Sequence, residues 1–346
     1  MKLKIRGAVL AISCLAFLCG CQKKVSKYTD TDFAMGTTIS EVFYGEKEAC
    51  ETAADEVITI LKETEEKQIS WRRKGSQVYE INHSKEAVAV EQETATWLKR
   101  SLQIARDSDG ALNPGVGSLA QLWDIGGENA RVPEKEEIEI ALKKIDYQSI
   151  EIEDQEVITN PEEVQVDLGA VGKGIGADQV MDYLKEKEGI EGAIVSVGGS
   201  LCVYGQKEEG ASWELGIQDP RNETGNMVGS VKVDGECFVS TSGDYEKYIE
   251  EDGKRYHHIL DSNTGYPSDS GLISVTIVCD SGIDSDGLST ACFVLGMEKS
   301  LSLLEKYNAG AIFINEDKEV YVTDGVEFEL QNTEEYTICE IPSDMK

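Results

Sequence analysis

Asp286 and Thr290 stand four residues apart in a segment, residues 280–290, that is rich in acidic and hydroxyl side chains. If the segment is helical, both side-chain oxygens lie on one face of the helix. Hard oxygen ligands of this kind suit Mg²⁺, which keeps several waters and bridges to substrate phosphates. A capping aspartate on a solvated acidic face would give the same pattern, so the spacing alone leaves both interpretations open.

Residues 166–178, Val-Asp-Leu-Gly-Ala-Val-Gly-Lys-Gly-Ile-Gly-Ala-Asp, run from a strand-like start into a helix that is expected to continue to about Lys187. Glycines let the backbone approach a ligand closely, and a helix N-terminus beside Lys173 would attract phosphate. A glycine-rich turn that only packs a helix against a strand would look the same. The segment is therefore a candidate phosphate site with a structural alternative.

Two of the three histidines of the chain, His257 and His258, lie between residues 240–244 (Ser-Thr-Ser-Gly-Asp) and a turn that ends at Pro267. If they belong to a strand, adjacent side chains point to opposite faces, so at most one should face a site. A histidine can take the proton of a hydroxyl nucleophile. A structural or exposed histidine pair is the alternative.

The composition limits the ligands that the chain can bind. The formal net charge is −32 at pH 7, from 65 acidic and 33 basic residues. A surface this acidic repels nucleic acid, so nucleic-acid binding is not expected, and a phosphate ligand would need a local cation. The sequence contains neither a GxGxxG fingerprint after a strand nor a GKS or GKT phosphate loop.

The beginning of the chain has the pattern of an export signal. Residues 1–6 carry three positive charges, and residues 7–18 form an apolar run that is too short to span a bilayer. Small residues then precede Cys21, which predicts a lipoprotein signal peptide over residues 1–20 and a palmitoylated Cys21 at the mature N-terminus. An ordinary secretory signal cleaved nearby is the alternative.

Residues 21–32 are polar and lack a hydrophobic period, so they are interpreted as a tether. Ordered structure is expected to begin near Phe33, and the length of residues 33–346 allows either two domains or one large two-lobed domain. The later cysteines are widely spaced and include no CxxC pair, which is typical of small buried residues. They are Cys50, Cys202, Cys237, Cys279, Cys292 and Cys339.

The elements that must position these residues mix helices with hairpins, which favours an α+β fold over a doubly wound parallel sheet. Amphipathic spacing predicts two early helices, and aspartate–glycine pairs predict hairpin turns. The predicted helices are 47 to about 68, 91 to about 108, one opening at 133, and 286–295; the predicted strands are 149–152 and 272–279; the predicted hairpin turns are 234–235 and 252–253, with a closing hairpin over 311–322 around residues 316–318.

Several of these segments occur in the same order as in the ApbE family of FAD:protein FMN transferases, which are commonly bacterial lipoproteins. The chain resembles that family from Met35 to about Gly296. The resembling segments are 35–38, 112–117 with 122–123, 167–178, 197–200, 241–244, 258–267 and 286–290. The resemblance implies a single two-lobed, T-fold-related α+β domain with mixed and antiparallel sheets flanked by helices.

The resemblance also implies a role for each site residue and for the partners. Magnesium would be bound by the Ala170 carbonyl, Asp286 and Thr290, and His258 would be the base. FMN would pass from FAD to a Ser or Thr hydroxyl of an extracytoplasmic electron-transfer protein with an FMN-binding domain, at the outer face of the cell membrane. FAD would be held by Met35, Trp71, Ala111, Leu112, Asn113, Asp167, Lys173 and Ile259.

Three positions depart from the family pattern. Asn113 replaces the usual Asp, Trp71 stands where Tyr is common, and Ser262-Asn263 replaces Pro-Arg. The change at Asn113 matters most, because an amide forms hydrogen bonds but supplies no negative charge. It puts the details of flavin contact in doubt and leaves the metal site untouched.

The predicted chemistry has two rivals. Water could replace the protein hydroxyl, which would make the chain an FAD pyrophosphatase yielding FMN and AMP. Alternatively, the protein could bind a flavin for delivery without turnover. A binding protein has no need of a paired Asp286 and Thr290 with His258, so the residues favour catalysis.

Overall fold

Strands make up the framework of the fold in the computed structural model, which describes residues 25–160, 162–207, 211–222 and 225–343. Cys21 and the predicted signal peptide lie outside the described residues. The strands are β1 (Ser26–Ala34), β2 (Thr37–Gly45), β3 (Val88–Ala89), β4 (Glu151–Glu153), β5 (Glu156–Ile158), β6 (Ile190–Val197), β7 (Ser200–Gly205), β8 (Trp213–Gln218), β9 (Met227–Val233), β10 (Cys237–Gly243), β11 (Tyr248–Glu251), β12 (Lys254–His257), β13 (Leu272–Cys279), β14 (Gly310–Asn315), β15 (Glu319–Val322), β16 (Glu327–Leu330) and β17 (Thr337–Cys339).

Eight α-helices accompany these strands in the described part of the chain. A π-helical turn, Thr64–Ile69, extends the first of them, and 3-10 turns cover Leu142–Lys144 and Tyr147–Ser149. The helices are α1 (Lys47–Glu63), α2 (Gln77–His83), α3 (Gln92–Asp107), α4 (Gly117–Trp123), α5 (Lys135–Ala141), α6 (Gly172–Glu186), α7 (Gly282–Leu295) and α8 (Met297–Lys306).

Nine strands form one sheet in the order β1-β2-β6-β7-β10-β13-β14-β15-β17. Its pairings are antiparallel except the last, where β15 runs parallel to β17. A three-stranded sheet, β16-β9-β8, covers one face, and α1, α3, α6, α7 and α8 cover the other. The predicted α+β class with mixed and antiparallel sheets is confirmed.

Strand β14 illustrates how alternation builds the two cores. Ala311 and Phe313 face the helices, whereas Ile312 and Ile314 face the small sheet. Successive side chains of a strand point to opposite faces, so a strand buried on both sides needs apolar residues throughout. This accounts for the unbroken apolar run of residues 311–314.

Helix α1 and its π-helical extension match the predicted helix 47 to about 68, and α3 matches 91 to about 108. The apolar residues chosen for their spacing are buried in both, including Val57 and Leu61 in α1 and Leu98 in α3. The Asp252-Gly253 turn does join the hairpin β11–β12. Five of the six cysteines beyond Cys21 are buried and all six are free thiols.

Four predictions need correction. Ordered structure begins at Ser26, because β1 pairs along its whole length with β2, so residues 26–32 are not a free tether. The Asp234-Gly235 turn joins β9 to β10, which lie in different sheets, and is therefore not a hairpin turn. Helix α7 begins at Gly282, four residues before its predicted start, and the hairpin β14–β15 does not close the chain, since β16 and β17 follow.

Among the described residues, no helix has both the length and the apolar character needed to cross a membrane.

Glu41 of β2 is a buried acid, with a side chain only 2% exposed and neither carboxylate oxygen hydrogen bonded to a described residue. Asp30 lies directly opposite it on β1. Burial, together with the negative charges of Asp30, Asp32 and Asp55, raises the pKa of Glu41 to about 8. At neutral pH the folded protein therefore keeps a proton that the unfolded chain releases.

The raised pKa of Glu41 predicts a loss of stability with rising pH. Between pH 4.5 and about 8 the unfolded state has lost the proton while the folded state retains it, so each pH unit lowers the free energy of unfolding by up to ~1.4 kcal/mol. In Glu41→Gln this slope should disappear, whatever the fixed cost of the buried amide. Urea unfolding at several pH values tests this, with exposed Glu56→Gln as control; parallel curves for Glu41→Gln and the native protein would contradict it.

Candidate active site

A cavity of about 390 Å³ lies where the β1–β2 turn, the end of β10, the segment after β12 and the facing ends of α6 and α7 meet. The described part of the chain includes every predicted site residue except Cys21, and all of these residues line this one cavity. They are Met35, Trp71, Ala111, Leu112, Asn113, Asp167, Ala170, Lys173, His258, Ile259, Asp286 and Thr290.

Asp286 is the most deeply buried acid of the cavity wall, with 3% of the residue exposed. Its Oδ2 accepts a hydrogen bond from the Gly174 amide at 2.9 Å, and its Oδ1 accepts one from Ser200 Oγ at 3.0 Å. Burial raises the pKa of this carboxyl, and the positive charge of Lys173 opposes that shift. A cation bound in the cavity next to Asp286 would therefore stabilise the ionised form of this carboxylate.

Thr290 follows Asp286 by one helical turn on α7, and both side chains reach the cavity as the four-residue spacing predicted. The hydroxyl of Thr290 lies 3.3 Å from Ser242 Oγ, which in turn lies 2.7 Å from Ser289 Oγ. The Ser242 hydroxyl of β10 therefore binds α7 at the turn that carries Thr290.

The oxygen atoms at this end of the cavity fit a hard divalent cation. They belong to one buried carboxylate, Asp286, one hydroxyl, Thr290, and the main chain at Ala170. In the described ranges, no three His, Cys, Asp or Glu side chains form a cluster able to hold a metal. A metal here would depend on neutral oxygens, water and substrate phosphate, which is the environment that Mg²⁺ commonly occupies. Asp284 is not a candidate ligand, because Arg100 binds both of its oxygens at 2.6 Å.

The glycine-rich segment provides the adjoining wall. Asp167 is 9% exposed, and its Oδ1 accepts a hydrogen bond from the Gly169 amide at 2.6 Å. Burial raises its pKa, while Gly169 and the nearby Arg72 act against the rise. Lys173 stands at the second residue of α6 and lines the same cavity, while the next amide of the helix, that of Gly174, donates to Asp286.

Only one of the two histidines lines the cavity, as expected, although only His257 belongs to a strand. His257 ends β12 buried, 7% exposed, and its Nε2 lies 3.0 Å from the Ser268 carbonyl. His258 lines the cavity, and both its backbone amide, at 3.0 Å, and its Nδ1, at 3.3 Å, point at the Lys247 carbonyl. A carbonyl only accepts hydrogen bonds, so Nδ1 carries the proton and Nε2 keeps a free lone pair.

The surroundings of His258 keep it neutral. Its side chain keeps an exposed surface, but partial removal of water from the ring, together with the positive charges of Lys173 and Lys247, lowers its pKa. A bound anionic phosphate would offset these charges and raise the pKa of the histidine. His258 is therefore a base in the empty cavity and a better one once a phosphate is bound.

Trp71 lines the cavity, and its ring packs against the side chain of Arg72. The Arg72 guanidinium carbon lies 3.9 Å from the centre of the Trp71 ring, and Arg72 also donates a hydrogen bond to Asp124 at 2.9 Å. The indole is therefore fixed at the cavity wall, where it could stack on an aromatic ligand.

Asn113 has a structural reason for replacing the usual Asp. Its Nδ2 donates to the Ile145 carbonyl at 3.0 Å, and its Oδ1 accepts from the Gly115 amide at 2.8 Å. An aspartate could accept but not donate, so only an amide satisfies both sides of this loop. In another of the three departures, Ser262-Asn263, Ser262 Oγ donates a hydrogen bond to the Gly110 carbonyl at 2.8 Å.

Sequence reasoning missed several residues of the site. Ser200 and Ser242 belong to segments that had been recognised as motifs, but their contacts with Asp286 and Thr290 join residues more than forty positions apart. Lys247 and Arg72 line the cavity outside any recognised motif. Their only signal in the sequence is a basic residue close to a motif in a strongly acidic chain.

Known proteins share this sequence pattern. A model of the ApbE family matches residues 35–313. An FAD:protein FMN transferase of Treponema pallidum is 34% identical over 340 residues, which cover 92% of this chain and 93% of that protein. Another from Vibrio cholerae is 32% identical over 308 residues, which cover 87% of this chain and 91% of that protein.

Solved structures share the fold. The ApbE protein of Thermotoga maritima has a TM-score of 0.77 and 34% identity, over 89% of this chain and 98% of that chain. The apo form of the flavinyl transferase ApbE of Pseudomonas stutzeri has a TM-score of 0.72 and 29% identity, over 89% of this chain and 95% of that chain.

Proposed function

This chain belongs to the ApbE family, and we propose that it is an FAD:protein FMN transferase. Its relatives carry that name. The observation that carries the proposal is the meeting of an oxygen-rich cation site, a basic helix N-terminus and a neutral histidine in one cavity of about 390 Å³. A phosphoanhydride and a hydroxyl nucleophile need these three groups close together.

In the proposed reaction, the oxygen of a Ser or Thr hydroxyl on an acceptor protein bonds to the FMN phosphorus of FAD. The bond from that phosphorus to the bridging oxygen breaks, and AMP leaves. The free lone pair on Nε2 of His258 accepts the hydroxyl proton. The ammonium of Lys173, at the N-terminus of α6, binds the pyrophosphate oxygens.

Asp286, Thr290 and the Ala170 carbonyl would hold Mg²⁺ beside the pyrophosphate. When bound, the ion neutralises charge that develops on the phosphate oxygens. The remaining FAD contacts fall to Met35 and the other cavity residues named above, with Trp71 positioned to stack on a ring system. Such stacking would also exclude water from the reacting phosphorus.

Hydrolysis and simple flavin binding are the competing functions, and AMP measurements separate them. The protein is mixed with FAD and Mg²⁺, with and without an FMN-binding acceptor domain, and with an acceptor whose target hydroxyl residue is replaced by alanine. A transferase releases AMP only with the intact acceptor. Equal AMP release in all three mixtures would indicate a pyrophosphatase, and bound flavin without AMP would indicate a binding protein.

The acceptor is proposed to be an extracytoplasmic subunit of a flavin-dependent electron-transfer complex, and the enzyme to be lipid-anchored through Cys21 at the outer face of the cell membrane. The basic, apolar and small-residue order of residues 1–21 supports this location. Cys21→Ala should abolish incorporation of labelled palmitate and move the protein from the membrane fraction to the soluble fraction. Equal membrane association of both proteins would contradict the anchor.

A further inference from the structure

Helices α6 and α7 cross at two glycines in direct contact. A Cβ on Gly174 would lie 2.1 Å from the Gly282 carbonyl oxygen, and a Cβ on Gly282 would lie 2.3 Å from the Gly174 oxygen. No side chain fits between the helices at this point. Their N-terminal ends therefore approach closely enough for side chains of one helix to bind main-chain amides of the other.

Each helix supplies an aspartate to the other's N-terminal end. Asp178 of α6 accepts hydrogen bonds from the amides of Gly282 at 2.7 Å and Ile283 at 2.8 Å, the first two residues of α7. Asp286 of α7 accepts from the Gly174 amide of α6 at 2.9 Å. Charged acceptors at a helix N-terminus form strong hydrogen bonds and suit the helix dipole.

The two aspartates nevertheless face different surroundings. Asp286 lines the cavity, whereas Asp178 lies outside its wall and uses both oxygens on α7. Asp178 therefore fixes the first turn of the helix that presents Asp286 one turn later and Thr290 two turns later. The same α6 presents Lys173, so the spacing between the phosphate end and the cation end of the cavity depends on this crossing.

We propose that Asp178 is a positioning residue, which sets the Asp286 and Thr290 oxygens at the separation from Lys173 that a cation-bound pyrophosphate requires. This inference rests on the proposed function and extends it to a residue outside the cavity. Loss of a positioning partner behind a metal ligand typically weakens metal affinity about 10–100-fold.

Arg100 of α3 provides a matched control, because it binds the same first turn of α7 that Asp178 binds. Its guanidinium binds Asp284 of α7 through two hydrogen bonds of 2.6 Å, and it lies outside the cavity wall. Arg100→Gln and Asp178→Asn each remove a charged side-chain interaction with the first turn of α7. We expect both variants to lower the melting temperature, but only Asp178→Asn to change cation affinity.

The experiment measures the Mg²⁺ concentration for half-maximal AMP release at saturating FAD in the presence of an FMN-binding acceptor domain, and the Mg²⁺ dependence of FAD binding by calorimetry. Asp178→Asn should raise the half-saturating Mg²⁺ concentration about tenfold in both measurements, while Arg100→Gln leaves it unchanged. Asp178→Glu, which keeps the charge but lengthens the side chain, replaces Asp178→Asn if that variant does not fold.

The outcomes separate the two proposals. If the native protein neither releases AMP nor binds FAD in a Mg²⁺-dependent way, the proposed function fails. If the native protein depends on Mg²⁺ but Asp178→Asn has the same half-saturating concentration, the role of Asp178 is overturned. An equal rise in both variants would likewise overturn it, because it would reflect general loosening of α7.

Discussion

Asp286→Asn is expected to reduce AMP release from FAD by on the order of 10²–10³, the usual cost of removing one group that stabilises charge in a transition state. The substitution removes the negative charge that would hold a cation. It keeps the shape of the side chain, and an amide can accept from the Gly174 amide and donate to Ser200 Oγ, the present partners of Asp286. Activity should therefore fall without loss of the local hydrogen bonds.

Stability should respond in the opposite sense to activity. Burial raises the pKa of Asp286, so the ionised carboxylate destabilises the empty fold. Asp286→Asn should then melt at the same temperature as the native protein or higher, and Mg²⁺ with FAD should no longer raise that temperature. Asp284→Asn on the same helix is the control, because it breaks the Arg100 pair and should lower stability while retaining activity. Full activity of Asp286→Asn would refute the cation site.

His258→Gln should slow AMP release and transfer by about 10²–10⁴-fold, the usual contribution of a general base. FAD binding should persist, because the FAD pyrophosphate is assigned to Lys173. The exposed His83, which stacks on Tyr79 outside the cavity wall, provides the control. A His83→Gln variant with the same loss would show that the effect is not specific to the cavity.

The pH dependence of the rate gives an independent test of His258. Because the pKa of His258 is lowered in the empty cavity, the free enzyme keeps a neutral base at neutral pH. The acid limb of kcat/KM should therefore lie below that of kcat, since bound phosphate raises the pKa of the histidine in the complex. Both limbs should be absent in His258→Gln, and an unchanged acid limb there would assign the titration to another group.

Local periodicity predicted the parts of the site that depend on it. The shared face of Asp286 and Thr290 follows from helical spacing. The separation of His257 from His258 does not test strand alternation, because β12 ends at His257. The convergence of all the predicted ligands on one cavity came from the family resemblance. No periodicity in the sequence contains that information.

The sequence-based predictions that were wrong depend on which strands pair, and residues far apart in the sequence decide that pairing. Residues 26–32 are mostly polar because most of them are exposed in β1, so they lack the hydrophobic alternation of a half-buried strand. The pair Asp234-Gly235 signals a reversal of the chain but carries no information about which sheet receives the next strand. The contacts of Ser200 with Asp286 and of Lys247 with His258 are likewise products of the tertiary fold.

The most direct test of the account is the intact mass of an FMN-binding acceptor domain after incubation with FAD, Mg²⁺ and the protein lacking residues 1–21. The account predicts that the acceptor gains the mass of one FMN less water at a single Ser or Thr, with one AMP released per labelled acceptor, and that neither product forms with Asp286→Asn. AMP release with an unlabelled acceptor, or a labelled acceptor with Asp286→Asn, would contradict it.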